Sequence, residues 1–406
     1  MQGSRTGQMQ PTDTAMDTAA TPFPVMLDGV RQLARETAAT HAADVDREAR
    51  FPQETVDALR RVRALSAPVP RQYGGAGCTM AELTQLVSQL SQHCGASAMV
   101  LAMHYIQVGC ITRHGKDDPY FQEVMRELVE RQLLLGSMTS EVGTWGDTRS
   151  SICALKQADE RFELQKAATT GSYCAQADGI LVTTRRADDA AAGDQLLVLV
   201  RREDCTLTQM STWDTLGMRG TCSPGFDLKA SAHVQQVLPE GYPAISALTM
   251  VPYSHILWAS LWWGLAFGAY AQAAAYVRSL ARKSPGVVPP VATELAKLNV
   301  ELQTMRYHWQ GLAQEFDAQV AAGTDSEAFT RVDWALKMNN LKTACSEAAP
   351  RIVQGALQIV GIQGYKNDSA YSMGRAHRDA MSASLMISNG RIAARSASLL
   401  LVHKAD

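Results

Sequence analysis

The sequence predicts a mainly α-helical protein with a β domain inserted between two helical domains. Three observations carry this. Apolar residues recur at helical spacing through about residues 25–135: Val56, Leu59, Val62 and Leu65 at every third position, and Leu83, Leu86, Val87 and Leu90 at i, i+3, i+4, i+7. From about Gly136 this gives way to short apolar runs split by turn residues, Phe162/Leu164, Ile180–Thr184 and Leu196–Val200, which read as strands. After Pro243 the helical pattern returns, with Ala-rich stretches at 266–276 and 344–360.

Residues 1–24 open the chain with Gln, Thr, Ser, Asp and Ala and no apolar core, so they read as a disordered leader rather than a signal peptide. The N-terminal helical domain is expected over 25–135. Pro52 there suits the first turn of a helix, and Pro68–Gly77 is a loop by its glycines. The middle β domain is expected over 136–242, and a C-terminal helical bundle over 243–406. Within it Ile256–Val277 has no charged residue and is long enough to cross a bilayer. Its Ala, Gly and Gln272, and the His255 before it, favour a helix buried on all sides of a bundle.

With 406 residues, 46% hydrophobic and 19% charged, the chain has the balance of a soluble protein of two or three domains. A net charge of -2 with no basic run excludes nucleic acid and charged membrane surfaces as expected partners. The eight cysteines are scattered with no Cys-x-x-Cys spacing, which predicts reduced thiols in a cytoplasmic protein and no metal site. No G-x-G-x-x-G follows a strand, so a Rossmann fold is not expected.

Several segments stand out in order: Val69–Gly77 (Val-Pro-Arg-Gln-Tyr-Gly-Gly-Ala-Gly), Ser140-Glu141-Val142-Gly143, Trp213–Arg219, Arg282-Lys283-Ser284-Pro285-Gly286, Gln354–Tyr365 and Arg378-Asp379-Ala380. Together they resemble the acyl-CoA dehydrogenase superfamily from about Phe51 to Leu400. The resemblance implies an acyl-CoA dehydrogenase-like fold: an N-terminal helical domain, a middle β-barrel-like domain and a C-terminal helical bundle. It also implies bound FAD, or FMN in monooxygenases of the same fold. By this resemblance Met138, Thr139, Ser140, Thr170 and Asn389 line the flavin. Arg282 and Ser284 reach the cofactor of a neighbouring subunit, and Gln358–Gly361 covers its adenosine side. Such shared sites imply a homo-oligomer, a tetramer as is usual in the family, with an electron acceptor or a flavin reductase as partner.

The chain also departs from the family. Counting without gaps from Ala380, the position of the catalytic Glu falls on Ile387, an aliphatic side chain that cannot take a proton. The family's second location for that Glu, with a paired Arg, falls near Ser254-His255. Ala168 stands where a Trp packs on the flavin, and Pro285 replaces a Phe. The catalytic residue is therefore left open, with His255, His104 and Asp368 as candidates. For His104 a satisfied core histidine is the competing reading. For Asp368 it is a turn carboxylate. Three functions follow. The first is a dehydrogenase-like flavoprotein oxidoreductase acting on an acyl thioester or related small molecule with a non-standard or absent base. The second is a flavin-dependent monooxygenase, which needs no α-proton base. The third is a silent flavin- or acyl-binding scaffold.

Overall fold

The computed structural model describes residues 21–403. Helix α1 (Phe23–Leu33) continues through a π turn at Ala34–Ala38 into α2 (Ala39–Arg47). It begins inside the stretch expected to be a leader, so Phe23 and Pro24 belong to the fold; residues 1–20 of that expectation lie outside the described residues. After α3 (Gln53–Arg61) comes α4 (Met80–Ser91), whose start is fixed by a capping box. Thr79 Oγ1 accepts from the Glu82 N–H, and the Glu82 carboxylate accepts from the Thr79 N–H. Helix α5 (Gly95–His114) is apolar around most of its circumference and runs through the core. Helix α6 (Pro119–Arg131) starts at Asp118, which accepts from the N–H groups of Tyr120 and Phe121.

Two small sheets follow. In one, β1 (Leu135–Met138) pairs in parallel with β4 (Gly179–Arg185), which pairs antiparallel with β5 (Gln195–Arg201). Both faces of β4 and β5 are buried, which is why they read as continuous apolar runs. The other sheet, in the order β2 (Lys156–Ala158), β3 (Arg161–Ala168), β7 (Phe226–His233), β6 (Cys205–Gln209), is antiparallel throughout. Its β3 alternates exposed and buried residues, with Phe162, Leu164, Lys166 and Ala168 inward.

The C-terminal bundle comprises α7 (Tyr242–Ile245), α8 (Val251–Lys283), α9 (Ala292–Ala322), α10 (Asp325–Ala328), α11 (Val332–Val360), α12 (Ile362–Tyr365), α13 (Gly374–Met381) and α14 (Asn389–Leu400). Its three long helices pack Trp262, Trp263, Leu302, Trp309, Leu341 and Ile352 into the main core. Two helical stretches, Gly95–His114 and Tyr242–Lys283, are long and apolar enough to cross a membrane, but 94% and 67% of their apolar windows are buried against the rest of the chain. Apolarity on every side is here the mark of a central helix. All eight cysteines are free, and the described residues contain no cluster able to hold a metal ion.

One latch joins the three regions. Arg378 on α13 grips the Asp46 carboxylate on α2 and donates to the Leu216 carbonyl at 2.9 Å. Its neighbour Asp379, fully enclosed, accepts the Met218 N–H at 2.6 Å. Arg219 closes the ring by donating to the Asp46 carbonyl at 2.7 Å. A side chain at Gly217 would collide with the Arg378 carbonyl, so the chain passes there only as glycine.

Candidate active site

The loop after β1 and the end of β3 meet edge to edge. Val142 N–H donates to the Ala167 carbonyl at 2.8 Å. Ser140 Oγ lies 2.9 Å from the Thr170 carbonyl, 3.1 Å from its N–H and 3.2 Å from its Oγ1. Two hydroxyls thus sit side by side at the open end of the strands, with Thr170 exposed and Thr139 and Ser140 half-buried. Met138, by contrast, is fully buried, so its side chain serves the core and only its backbone can face the site. Below this edge lies a buried ion pair. Lys166 Nζ is 3.1 Å from Glu141 Oε2 and also donates to the Thr183 carbonyl at 2.8 Å. The Glu141 carboxylate further accepts the N–H groups of Ile152 at 3.1 Å and Cys153 at 2.6 Å. Burial pulls the Lys166 ammonium below its ordinary value, while Glu141 opposes that shift. The pair pins the segment that carries Ser140 to the strand that ends before Thr170.

Across from this edge lies the turn before α14. Arg391 in the first turn of α14 reaches the Trp145 carbonyl, and its guanidinium packs on Gly146. The turn itself holds Ile387 with φ +44, a left-handed conformation that a β-branched residue adopts only under constraint. The constraint is Lys342 on α11. Its Nζ donates to the Ile387 carbonyl at 2.8 Å and to Asn389 Oδ1 at 2.6 Å, and sits 5.8 Å from the Trp262 ring centroid. Lys342 is fully enclosed, and burial lowers it to about 8. The Asn389 carboxamide is spent in this network: Nδ2 donates to Ser346 Oγ at 3.1 Å and to Glu347 Oε1 at 3.2 Å. These contacts tie Asn389 to α11.

The three candidate bases sit in three different surroundings. His104 is a core histidine. Its Nδ1 accepts the Leu135 N–H at 3.0 Å and its Nε2 donates to the Leu65 carbonyl at 2.7 Å; burial lowers it to about 4. Those bonds fix the neutral tautomer and leave neither nitrogen for substrate. His255 is buried on α8, 3.0 Å from Ser254 Oγ and stacked on Trp258; burial and the nearby Lys342 charge lower it to about 3. A nitrogen of that pKa is a feeble proton acceptor at neutral pH. Asp368 is an exposed turn carboxylate 3.5 Å from Lys366. Glu347, an exposed carboxylate on α11, reaches the turn by accepting from Asn389 Nδ2 at 3.2 Å. It was missed because nothing in the sequence ties α11 to residues some 40 positions later.

Arg282 and Ser284 are exposed at the end of α8, open to solvent or to another subunit. Gln358 is exposed near the end of α11, and Gly361 there has φ +67 and ψ −137, a conformation open to glycine alone. A cleft of about 890 Å³ lies along β3, β6 and β7 beside Glu141, and Ile387 is not among the residues that line it. The donor set fits a flavin ring. Adjacent hydroxyls of Ser140 and Thr170 offer bonds to a heteroaromatic edge, and Ala168 keeps the adjoining strand end small. On α8, beside Lys342 and His255, the indole N–H groups of Trp262 and Trp258 are buried without a partner.

Residues 25–120 match the family described as "Acyl-CoA dehydrogenase, N-terminal domain", and 245–390 match "Acyl-CoA dehydrogenase, C-terminal domain". The chain is 26% identical over 357 residues to the 3-sulfinopropanoyl-CoA desulfinase of Paraburkholderia xenovorans, covering 83% of this chain and 85% of that one. It is 24% identical to the probable FMNH2-dependent monooxygenase SfnC of Pseudomonas putida, covering 82% and 84%. The FMN-bound structure of TdsC from Paenibacillus sp. A11-2 superposes with a TM-score of 0.80 at 18% identity, covering 94% of this chain and 98% of that one. With both helical domains matched and the β region between them, the chain belongs to the acyl-CoA dehydrogenase superfamily.

Proposed function

We propose that this chain is a flavin-dependent oxidoreductase that works without an α-proton base, a monooxygenase fed with reduced flavin rather than a dehydrogenase. The observation that carries this is the Ile387 turn. An aliphatic side chain occupies the position of the family's base, and the group held beneath it is a lysine ammonium, not a carboxylate. A positioned base contributes roughly 10²–10⁴ in rate, so proton abstraction from an acyl thioester would be severely weakened. The similarity to a probable FMNH2-dependent monooxygenase supports the same reading. Reduced FMN or FAD, charged with two electrons by a flavin reductase, would supply the electrons for oxygen chemistry when bound. Ser140 and Thr170 orient its polar edge, and Ile387 keeps that side of the site apolar. A flavin reductase is the implied partner and a small organic molecule the substrate. The exposed Arg282, Ser284 and Gln358 fit a site completed by a second copy, within the tetramer that the resemblance to the superfamily implies; a cytoplasmic location goes with the free cysteines.

Glu347 favours a second reading, in which it serves as a displaced base through a shift of Asn389 and the protein acts as a dehydrogenase. One experiment separates the two. Purified protein is given FMN or FAD, a flavin reductase and NADH, and oxygen uptake and oxygenated product are followed with organosulfur and aromatic probes. Oxygenated product supports the proposal. Absence of flavin binding would remove both readings, and acyl-CoA-driven flavin reduction abolished by Glu347→Gln would establish the second.

A further inference from the structure

The turn bordering the site is held from α11 by Lys342, Ser346 and Glu347; the latter two bond Asn389, while Lys342 bonds both Ile387 and Asn389. Ile387 is left-handed and Ser388 caps α14 without a side-chain bond; the backbone bonds around it include Met386 N–H to the Ser382 carbonyl at 3.1 Å, Asn389 N–H to the Ser384 carbonyl at 3.2 Å, and Arg391 and Ile392 N–H to the Ser388 carbonyl at 3.0 and 3.1 Å, none of which involves the Ile387 carbonyl. Met386 packs against the core, but Leu385 and Ile387 on either side of it are 77% and 44% exposed, so packing alone does not set the Ile387 backbone. Lys342 does so by bonding the Ile387 carbonyl and the Asn389 carboxamide together, from a helix whose own position is set by Leu341 and Cys345 in the core. Its ammonium is enclosed, and its two acceptors are a carbonyl and a carboxamide rather than a carboxylate. A buried lysine in that state costs folding free energy instead of adding to it.

We propose that Lys342 is the positioning residue of the site: it clamps the Ile387–Asn389 turn against α11 and so sets the wall that the flavin and substrate meet. This deepens the flavin reading and rests on it for the chemistry, but the clamp is testable in flavin-free protein. A residue kept only for the fold would lower stability when removed. A clamp that costs stability would, when removed, leave the fold intact and free the turn.

The test is hydrogen exchange of the full chain, measured by mass spectrometry without flavin, for Lys342→Met, Lys342→Arg and Asn389→Ala. In Lys342→Met the peptide spanning 384–392 is expected to exchange at least 10-fold faster, with the melting temperature unchanged or higher. Lys342→Arg is expected to restore slow exchange. Asn389→Ala, which leaves the α11 core untouched, is expected to give a smaller acceleration confined to the same peptide. In a second arm, FMN titration should show weaker binding in Lys342→Met in step with the exchange. Unchanged exchange at 384–392 in Lys342→Met, or global unfolding of that variant with no acceleration in Asn389→Ala, would overturn the proposal. Wild-type protein that binds no FMN or FAD would defeat the flavin reading while leaving the exchange result to decide the clamp.

Discussion

Removing Lys166 alone should be among the most damaging single changes in the β region. At 3.1 Å from Glu141 Oε2, and at an effective dielectric of about 20, the pair attracts by about 5 kcal/mol. Lys166→Met strips that attraction and leaves a carboxylate that is 4% exposed. Two backbone N–H groups, from Ile152 and Cys153, still hold the charge and recover part of the loss. The Thr183 carbonyl loses a donor as well, for about 1 kcal/mol. The net expectation is about 3–5 kcal/mol of destabilisation, in the range for breaking a buried pair. Glu141→Gln combined with Lys166→Met removes both charges and keeps an acceptor for Cys153, so the double variant should recover at least half. Urea unfolding followed by tryptophan emission measures both. A loss under 1 kcal/mol, or a double variant no better than Lys166→Met, would refute the view that this pair fixes the Ser140–Thr170 edge.

Other consequences can be measured in the same way. His104→Leu leaves the Leu65 carbonyl and the Leu135 N–H without partners and should cost about 2–4 kcal/mol by urea unfolding, while flavin affinity of the folded fraction stays unchanged. Burial raises the Asp379 carboxyl to about 6, so the folded chain binds its proton more tightly than the unfolded chain does. Stability should therefore fall as pH rises from about 4 to about 6, by up to about 3 kcal/mol, and Asp379→Asn should flatten that slope in melting curves across this range. Arg378→Ala leaves the Asp46 carboxylate without its main cation. It should raise hydrogen exchange in both α2 and the 213–219 segment, since one guanidinium serves both.

Much of the architecture was legible because local chemistry and tertiary role agree. The helical repeats at Val56–Leu65 and Leu83–Leu90 face one core, and β4 and β5 show as apolar runs because both faces are covered. Strand β7 escaped notice because its inward positions include Ala230 and Ala232, too small to make an alternation stand out, and β6 is short and largely exposed. Helix α5 lacks periodicity because it is buried on nearly every side. At the site, the segments that carry Ser140, Thr170 and Ile387 could each be singled out by resemblance, but the hydrogen bonds that bring Ser140 and Thr170 together could not. Nor could the partners of His104 or the approach of Lys342 and Glu347 to residues 387–389, because each depends on segments more than 30 positions apart in the chain.

Flavin chemistry at the Ile387 turn is proposed to proceed without abstraction of an α-proton. Anaerobic mixing of the flavin-loaded protein with a panel of acyl-CoA thioesters, short, long and aromatic, checks this through the loss of the oxidised flavin's visible absorbance. The account predicts no bleaching on the timescale of turnover, seconds or faster. Rapid, complete bleaching by any of these thioesters would contradict it.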